Sequence, residues 1–220
     1  MLNLILKDIL IQKKALVFAF LYSIFMFFIF SQPSLNLFIY SMGAVAISYM
    51  LIMTAMQADY KNDTITILSS LPVKRSEIVT SKYLSMFVFI ALSFLVLVIV
   101  GLIIMVSPLP FSVRYPKFYD LVITFFCVGI LISVYLPVYF KTGGRYAQVV
   151  FIFFFMLMFF GPSTLFGYIT KSQEHPLSKT LLLYTSENLL VVYLIAILIT
   201  LIILAVSFVI SLRIYLNKDL

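Results

Sequence analysis

The sequence predicts an all-α, polytopic membrane protein with six transmembrane helices, both termini in the cytoplasm and an amphipathic interfacial helix at the N-terminus. Three observations predict it. Of the 220 residues, 64% are hydrophobic and only 10% charged, with a mean hydropathy of +1.17; a soluble domain carries about 45–50% apolar and about 25% charged residues. The apolar residues gather into six runs bounded by charge, Pro or Gly, at 15–30, 37–57, 83–106, 119–140, 146–169 and 188–212, and about 20 such residues cross a hydrocarbon core. The cations are unevenly shared between the two faces this threading creates. Lys7, Lys13, Lys14, Lys61, Lys74, Arg75, Lys82, Lys141, Arg145, Arg213 and Lys218 fall on one face, against Arg114, Lys117, Lys171 and Lys179 on the other. Positive charge is retained in the cytoplasm during insertion, so the crowded face is cytoplasmic. The net charge of +7 is thereby explained by topology, without nucleic acid.

Residues 1–14 form the first element. Leu2, Ile5, Leu6 and Ile9 recur at helical spacing while Asn3, Lys7 and Asp8 fall elsewhere, which predicts a helix lying in the interface with its lysines toward lipid headgroups. The alternative is a plain extension of span one. That span is short, about 24 Å over 15–30, and Ser31-Gln32-Pro33 after it offers no small-x-small cleavage site, so it reads as a retained span rather than a signal peptide. Span two, 37–57, leads into the largest polar connection, 58–82. There Asp63 is placed to cap a short helix carrying Ile65, Ile67 and Leu68, Pro72 to stop it, and Ser76 or its neighbours to begin a second helix. Span three, 83–106, is about 36 Å long and crosses with tilt. A proline-rich turn follows. Span four, 119–140, contains Pro137, a candidate hinge because it removes a backbone donor, and Gly129, which permits close helix approach. Gly143-Gly144-Arg145 is a turn into span five, 146–169; the connection 170–187 precedes span six, 188–212.

Absences narrow the function. As bounded, the spans hold no Lys, Arg, Glu, His or interior Asp, with Asp120 at the mouth of span four. A proton relay, carboxylate-titrating pump or voltage sensor has nothing to run on. No GxxxxGK[ST], HExxH or GxSxG is present, so no catalytic residue is assigned and ATP hydrolysis is not expected in this chain. Cys127 lies alone in an apolar run, and His175 beside Glu174 is a single external imidazole, so no metal site is assigned. Uphill transport would need an energy-supplying partner. The 58–82 connection, with exposed charges of both signs, offers a docking surface for one.

At this connection the chain resembles the type-2 ABC exporter permeases. In that family the loop after the second of six spans has an acidic start, a short helix ending in Leu-Leu-Ser-Leu-Pro, a basic pair, Glu-Ile-Val and a Lys-Tyr. Here Leu68-Ser69-Ser70-Leu71-Pro72-Val73-Lys74-Arg75, Glu77-Ile78-Val79 and Lys82-Tyr83 stand in that order. The resemblance implies that 58–82 is a coupling loop seated in a cleft of a cytosolic ABC ATPase, with Asp63, Leu68, Leu71, Lys74, Arg75 and Glu77 as contacts. It also implies two permeases, a second copy or a paralogue, with two ATPase subunits that bind ATP and Mg, while this chain binds no cofactor. The short length and Phe- and Ile-rich, Trp-free composition resemble the small Gram-positive permeases that export phenol-soluble modulins or antimicrobial peptides. A hydrophobic or amphipathic cargo suits the run 151–160, with six Phe and two Met; Phe151, Phe154 and Phe155 are candidate cargo-lining residues, lipid-facing bulk being the alternative. A second functional reading is a non-transporting immunity or sensor protein of the membrane that binds a peptide or lipid and recruits a cytosolic partner.

Overall fold

The computed structural model describes residues 2–29, 36–62, 64, 74–107, 114–144, 146–157 and 189–217, which are helical nearly throughout, with no strand among them. The helices are α1 (Leu2–Ile11), α2 (Lys13–Ile29), α3 (Ile39–Lys61, after a 3₁₀ turn at Asn36–Phe38), α4 (Arg75–Val106), α5 (Phe118–Thr142), α6 (Tyr146–Leu157) and α7 (Leu189–Leu216). Helices α3, α4, α5 and α7 are each long and apolar enough to cross a membrane, and α1 with α2, bent by 55° at Gln12, makes a fifth candidate. Of the predicted span 146–169 only α6 is described. Residues 158–169 lie outside the described residues, as do Asp63, Leu68 and Leu71.

Contacts at the helix ends set the directions. At one end Lys7 meets Asp59, Lys82 meets Asp8, Arg75 reaches the carbonyl of Leu216, and Gly144 lies against Tyr60. At the other, Arg114 joins Asn36 to Asp120, Phe118 meets Tyr193 and Phe27 meets Tyr40. Successive helices α2 to α6 therefore alternate in direction, α7 runs as α5 does, and α1 and the end of α7 sit at the same end of the bundle.

The outer surface is rich in large apolar side chains, and the apolar core is interleaved with small and hydroxyl-bearing residues. Helix α3 is enclosed on most sides, and its buried face includes Ser41, Gly43, Ala44, Ala46, Ser48 and Ala55. Small residues let backbones approach where lipid supplies no hydrophobic drive between helices. Ser48 and Ser93 share a hydrogen bond of 2.7 Å across α3 and α4. Helix α7 buries only Thr200, Leu204, Ser207, Ser211 and Tyr215, a stripe at helical spacing that is mostly hydroxyl-bearing, and turns Leu194, Leu198, Ile202 and Val209 outward. At Gly129 an added Cβ would collide with the methyl of Thr200, so α5 and α7 touch at a point only glycine allows.

Three expectations are corrected. Spans two and three extend past their expected limits at 57 and 83: α3 runs on to Lys61, and the second helix expected from Ser76 or its neighbours begins at Arg75 and is continuous with span three; Lys82, counted among the cations of the cytoplasmic face, is 6% exposed. The hydropathy threshold cut both helices at their charges, although pairing keeps the charges inside. Second, α1 does not turn its lysines as a set to headgroups. Its buried residue is Asp8, Lys7 is paired, and Leu6 and Leu10 are the more exposed side. Third, the bundle does contain buried charge: Asp8, Asp59, Lys82 and Asp120.

Candidate functional site

The connection 62–74 leaves α3 and enters α4 at two roots, and the structure fastens both to α1. Asp59, in the last turn of α3, and Lys82, in the second turn of α4, are in direct ion contact. The Lys82 ammonium also donates to both carboxylate oxygens of Asp8 at 2.9 Å, and Ser85 donates to Asp8 at 3.1 Å. Lys7 donates to Asp59 at 2.7 Å and stands 3.4 Å from Asp8. Two cations and two anions cancel, which is the condition under which such groups tolerate burial. The bend between α1 and α2 is pinned separately. Gln12, fully buried, donates from its amide to the carbonyl of Leu51 at 2.7 Å and accepts from the Thr54 hydroxyl at 2.6 Å.

Of the predicted contacts, Lys74 is the exposed residue preceding α4, in extended conformation. Glu77 is half-buried in the first turn of α4, where a carboxylate complements the helix dipole. Arg75 turns toward α7, donating to the carbonyl of Leu216 at 3.0 Å and so capping that helix's C-terminus.

Next to Lys82 in α4, Tyr83 faces a different neighbour, α7. Its hydroxyl lies 2.7 Å from the hydroxyl of Ser207 and 2.9 Å from that of Ser211, both on α7. The Ser207 hydroxyl in turn donates to the carbonyl of Ser133 on α5 at 2.7 Å. Ser133 precedes Pro137 by four residues, so its carbonyl is the one that proline deprives of a helical N–H partner. Helix α5 nevertheless runs unbroken from Phe118 to Thr142.

The aromatic candidates divide. Phe151 is 1% exposed, packed between Tyr49 at 4.7 Å and Tyr135 at 4.3 Å between ring centroids. Phe155 stacks on Tyr49 at 4.0 Å and, like Phe154, is half-buried, while Phe153 faces outward. The described part of the Phe run, 151–157, is thus helical with one face in the bundle.

At the far end, Arg114 forks onto Asp120, at 2.7 Å and 2.5 Å, donates to the carbonyl of Asn36 at 2.9 Å, and lies over the rings of Tyr40 and Tyr119. Burial works against the Arg114 charge, but the hydrogen bond and charge of Asp120 outweigh it and hold the guanidinium above its ordinary value. Asp120 also accepts from the backbone N–H of Lys117 at 2.9 Å, fastening the start of α5.

Sequence reasoning missed Asp8, Asp59, Tyr83 and Ser207. Asp8 and Asp59 stand beside other charges in the sequence, and nothing there pairs them with Lys82 or Ser207 with Pro137.

The arrangement is a bundle of membrane-length helices in which both roots of the 62–74 connection sit in a charge cluster. No curated protein and no solved structure matches the chain. Residues 3–216 match the family described as ABC-2 family transporter protein, and with nearly its whole length covered the chain belongs to that family of ABC transporter membrane proteins.

Proposed function

We propose that this chain is the permease subunit of an ATP-driven exporter, with six spans, both termini in the cytoplasm, and the 62–74 connection docked on a separate ABC ATPase. The observation that carries the reading is the fastening of that connection's roots. Asp59 and Lys82 meet each other, and each is held to α1, Asp59 by Lys7 and Lys82 by Asp8, so a displacement of the connection moves α1, α3 and α4 together instead of dissipating in a loose hairpin. The bundle end holding Lys7, Lys13, Lys14, Lys61, Lys74, Arg75, Lys141 and Arg213 is the cytoplasmic one by the positive-inside rule. Family membership favours this reading over a non-transporting immunity or sensor protein.

In the working assembly two permeases, identical or paralogous, join two ATPase subunits, which bind the ATP and Mg. Lys74 and Glu77, with Asp63, Leu68 and Leu71, make the docking contacts, and Arg75 serves by holding the end of α7. The cargo is a hydrophobic or amphipathic peptide. The partly open Phe154 and Phe155 support this at a surface that demands no fixed polar geometry.

The test is the ATPase rate of the complex purified from its native membrane. Lys74→Glu with Glu77→Lys lowers cargo-stimulated hydrolysis by about tenfold or more if those residues dock the ATPase. An unaltered rate overturns the docking assignment, and cargo movement by the permease reconstituted alone overturns the whole reading.

A further inference from the structure

The Pro137 break and the loop-proximal end of α4 are joined by a chain of hydroxyls, and its protons can be assigned. A carbonyl only accepts, so the Ser207 proton is committed to Ser133. Ser207 then has only lone pairs to offer, which makes Tyr83 the donor in their 2.7 Å contact. With the Tyr83 proton spent, Ser211 donates to Tyr83 across 2.9 Å. The order Ser211 to Tyr83 to Ser207 to the Ser133 carbonyl is the one arrangement that satisfies all three contacts. Bonds aligned in this way reinforce one another in a low dielectric. All four residues are at most 9% exposed.

We propose that Tyr83 and Ser207 are positioning residues for transport: a strut that makes the proline break of α5 follow the loop-proximal end of α4. Adjacent residues of α4 face two ways. Lys82 holds α1 and α3, while Tyr83 holds α7 and, through Ser207, α5. A helix bends most easily where proline has removed a ladder bond. There the missing donor comes from another helix, so α5 cannot change its curvature at Pro137 without Ser207 moving or the Ser133 carbonyl losing its partner. A carbonyl unpaired in a lipid-surrounded bundle is strongly disfavoured. Rotation of α4 under load on the 62–74 connection therefore reaches α5 through a hydroxyl pair.

This inference rests on the coupling role proposed above, and its test separates the two. Proline is the reason Ser207 matters, so Pro137→Ala, which supplies an N–H to Ser133, should suppress the effect of losing Ser207. The first measurement uses the isolated full-length permease and needs no ATPase. Ser207→Ala is expected to lower the melting temperature in the parent background and to change it little in Pro137→Ala; equal losses in both backgrounds overturn the strut. The second counts cargo moved per ATP in the reconstituted transporter. Ser207→Ala and Tyr83→Phe are each expected to lower it roughly fivefold or more, with no further loss when Ser207→Ala is added to Pro137→Ala. Parental coupling in both single variants overturns the proposal, even where the suppression of melting is seen. If instead the Lys74 and Glu77 reversal leaves hydrolysis unaltered, the docking reading falls, and the strut's role in transport falls with it.

Discussion

Replacing Lys82 with Met removes the buried cation that hydrogen-bonds to both Asp8 and Asp59, while keeping an unbranched side chain in a helix interior. Both carboxylates are almost fully enclosed, with side chains 2% exposed. Removing one partner of a buried ion pair costs about 3–5 kcal/mol, because the remaining charge has no solvent to return to. Lys7 softens this loss: it still reaches Asp59 at 2.7 Å and Asp8 at 3.4 Å. The expected destabilisation is therefore near the lower bound, about 3 kcal/mol. Adding Asp59→Asn to Lys82→Met restores neutrality, leaving Lys7 opposite Asp8. The double variant should be more stable than Lys82→Met alone, with an interaction energy of about 2 kcal/mol. Reversible unfolding in mixed detergent micelles reads these differences, and because the groups are buried they should persist at high ionic strength. A Lys82→Met variant within about 0.5 kcal/mol of the parent, or costs that simply add in the double variant, would refute the cluster as an energetic unit.

Two further outcomes follow from close contacts elsewhere in the bundle. Gly129→Ala puts a methyl against the Thr200 methyl and should cost about 1–3 kcal/mol by forcing α5 from α7. Thr200→Ser, which retains a hydroxyl able to bond Ala196, should recover most of that loss in the same unfolding assay. Arg114→Gln leaves the wholly buried Asp120 without its guanidinium and should cost about 3 kcal/mol, largely relieved by adding Asp120→Asn. Lys117→Gln, at an exposed neighbouring position, should stay within about 0.5 kcal/mol of the parent.

From the sequence alone follow the helical class, the apolar segments that became α2, α3, α4, α5 and α7, the sorting of cations to one end, the polar connection after α3 and the close approach at Gly129. Each depends on what a segment would lose by leaving lipid or water, a quantity summed over neighbours in the chain. Tertiary structure alone decided how charge enters the bundle. Hydropathy ends a span at 57, before Asp59, and begins the next at 83, after Lys82, since it assigns each ion the cost of standing alone. That cost disappears when Lys82 meets Asp59, 23 residues away, and Asp8, 74 residues away. The same limit hid the inward polar face of α1 and the partner of the Pro137 break. Proline announces in sequence that a carbonyl is bare, but the hydroxyl that covers it, Ser207, comes from another helix, and only the packing of α7 against α5 brings the two within hydrogen-bonding distance.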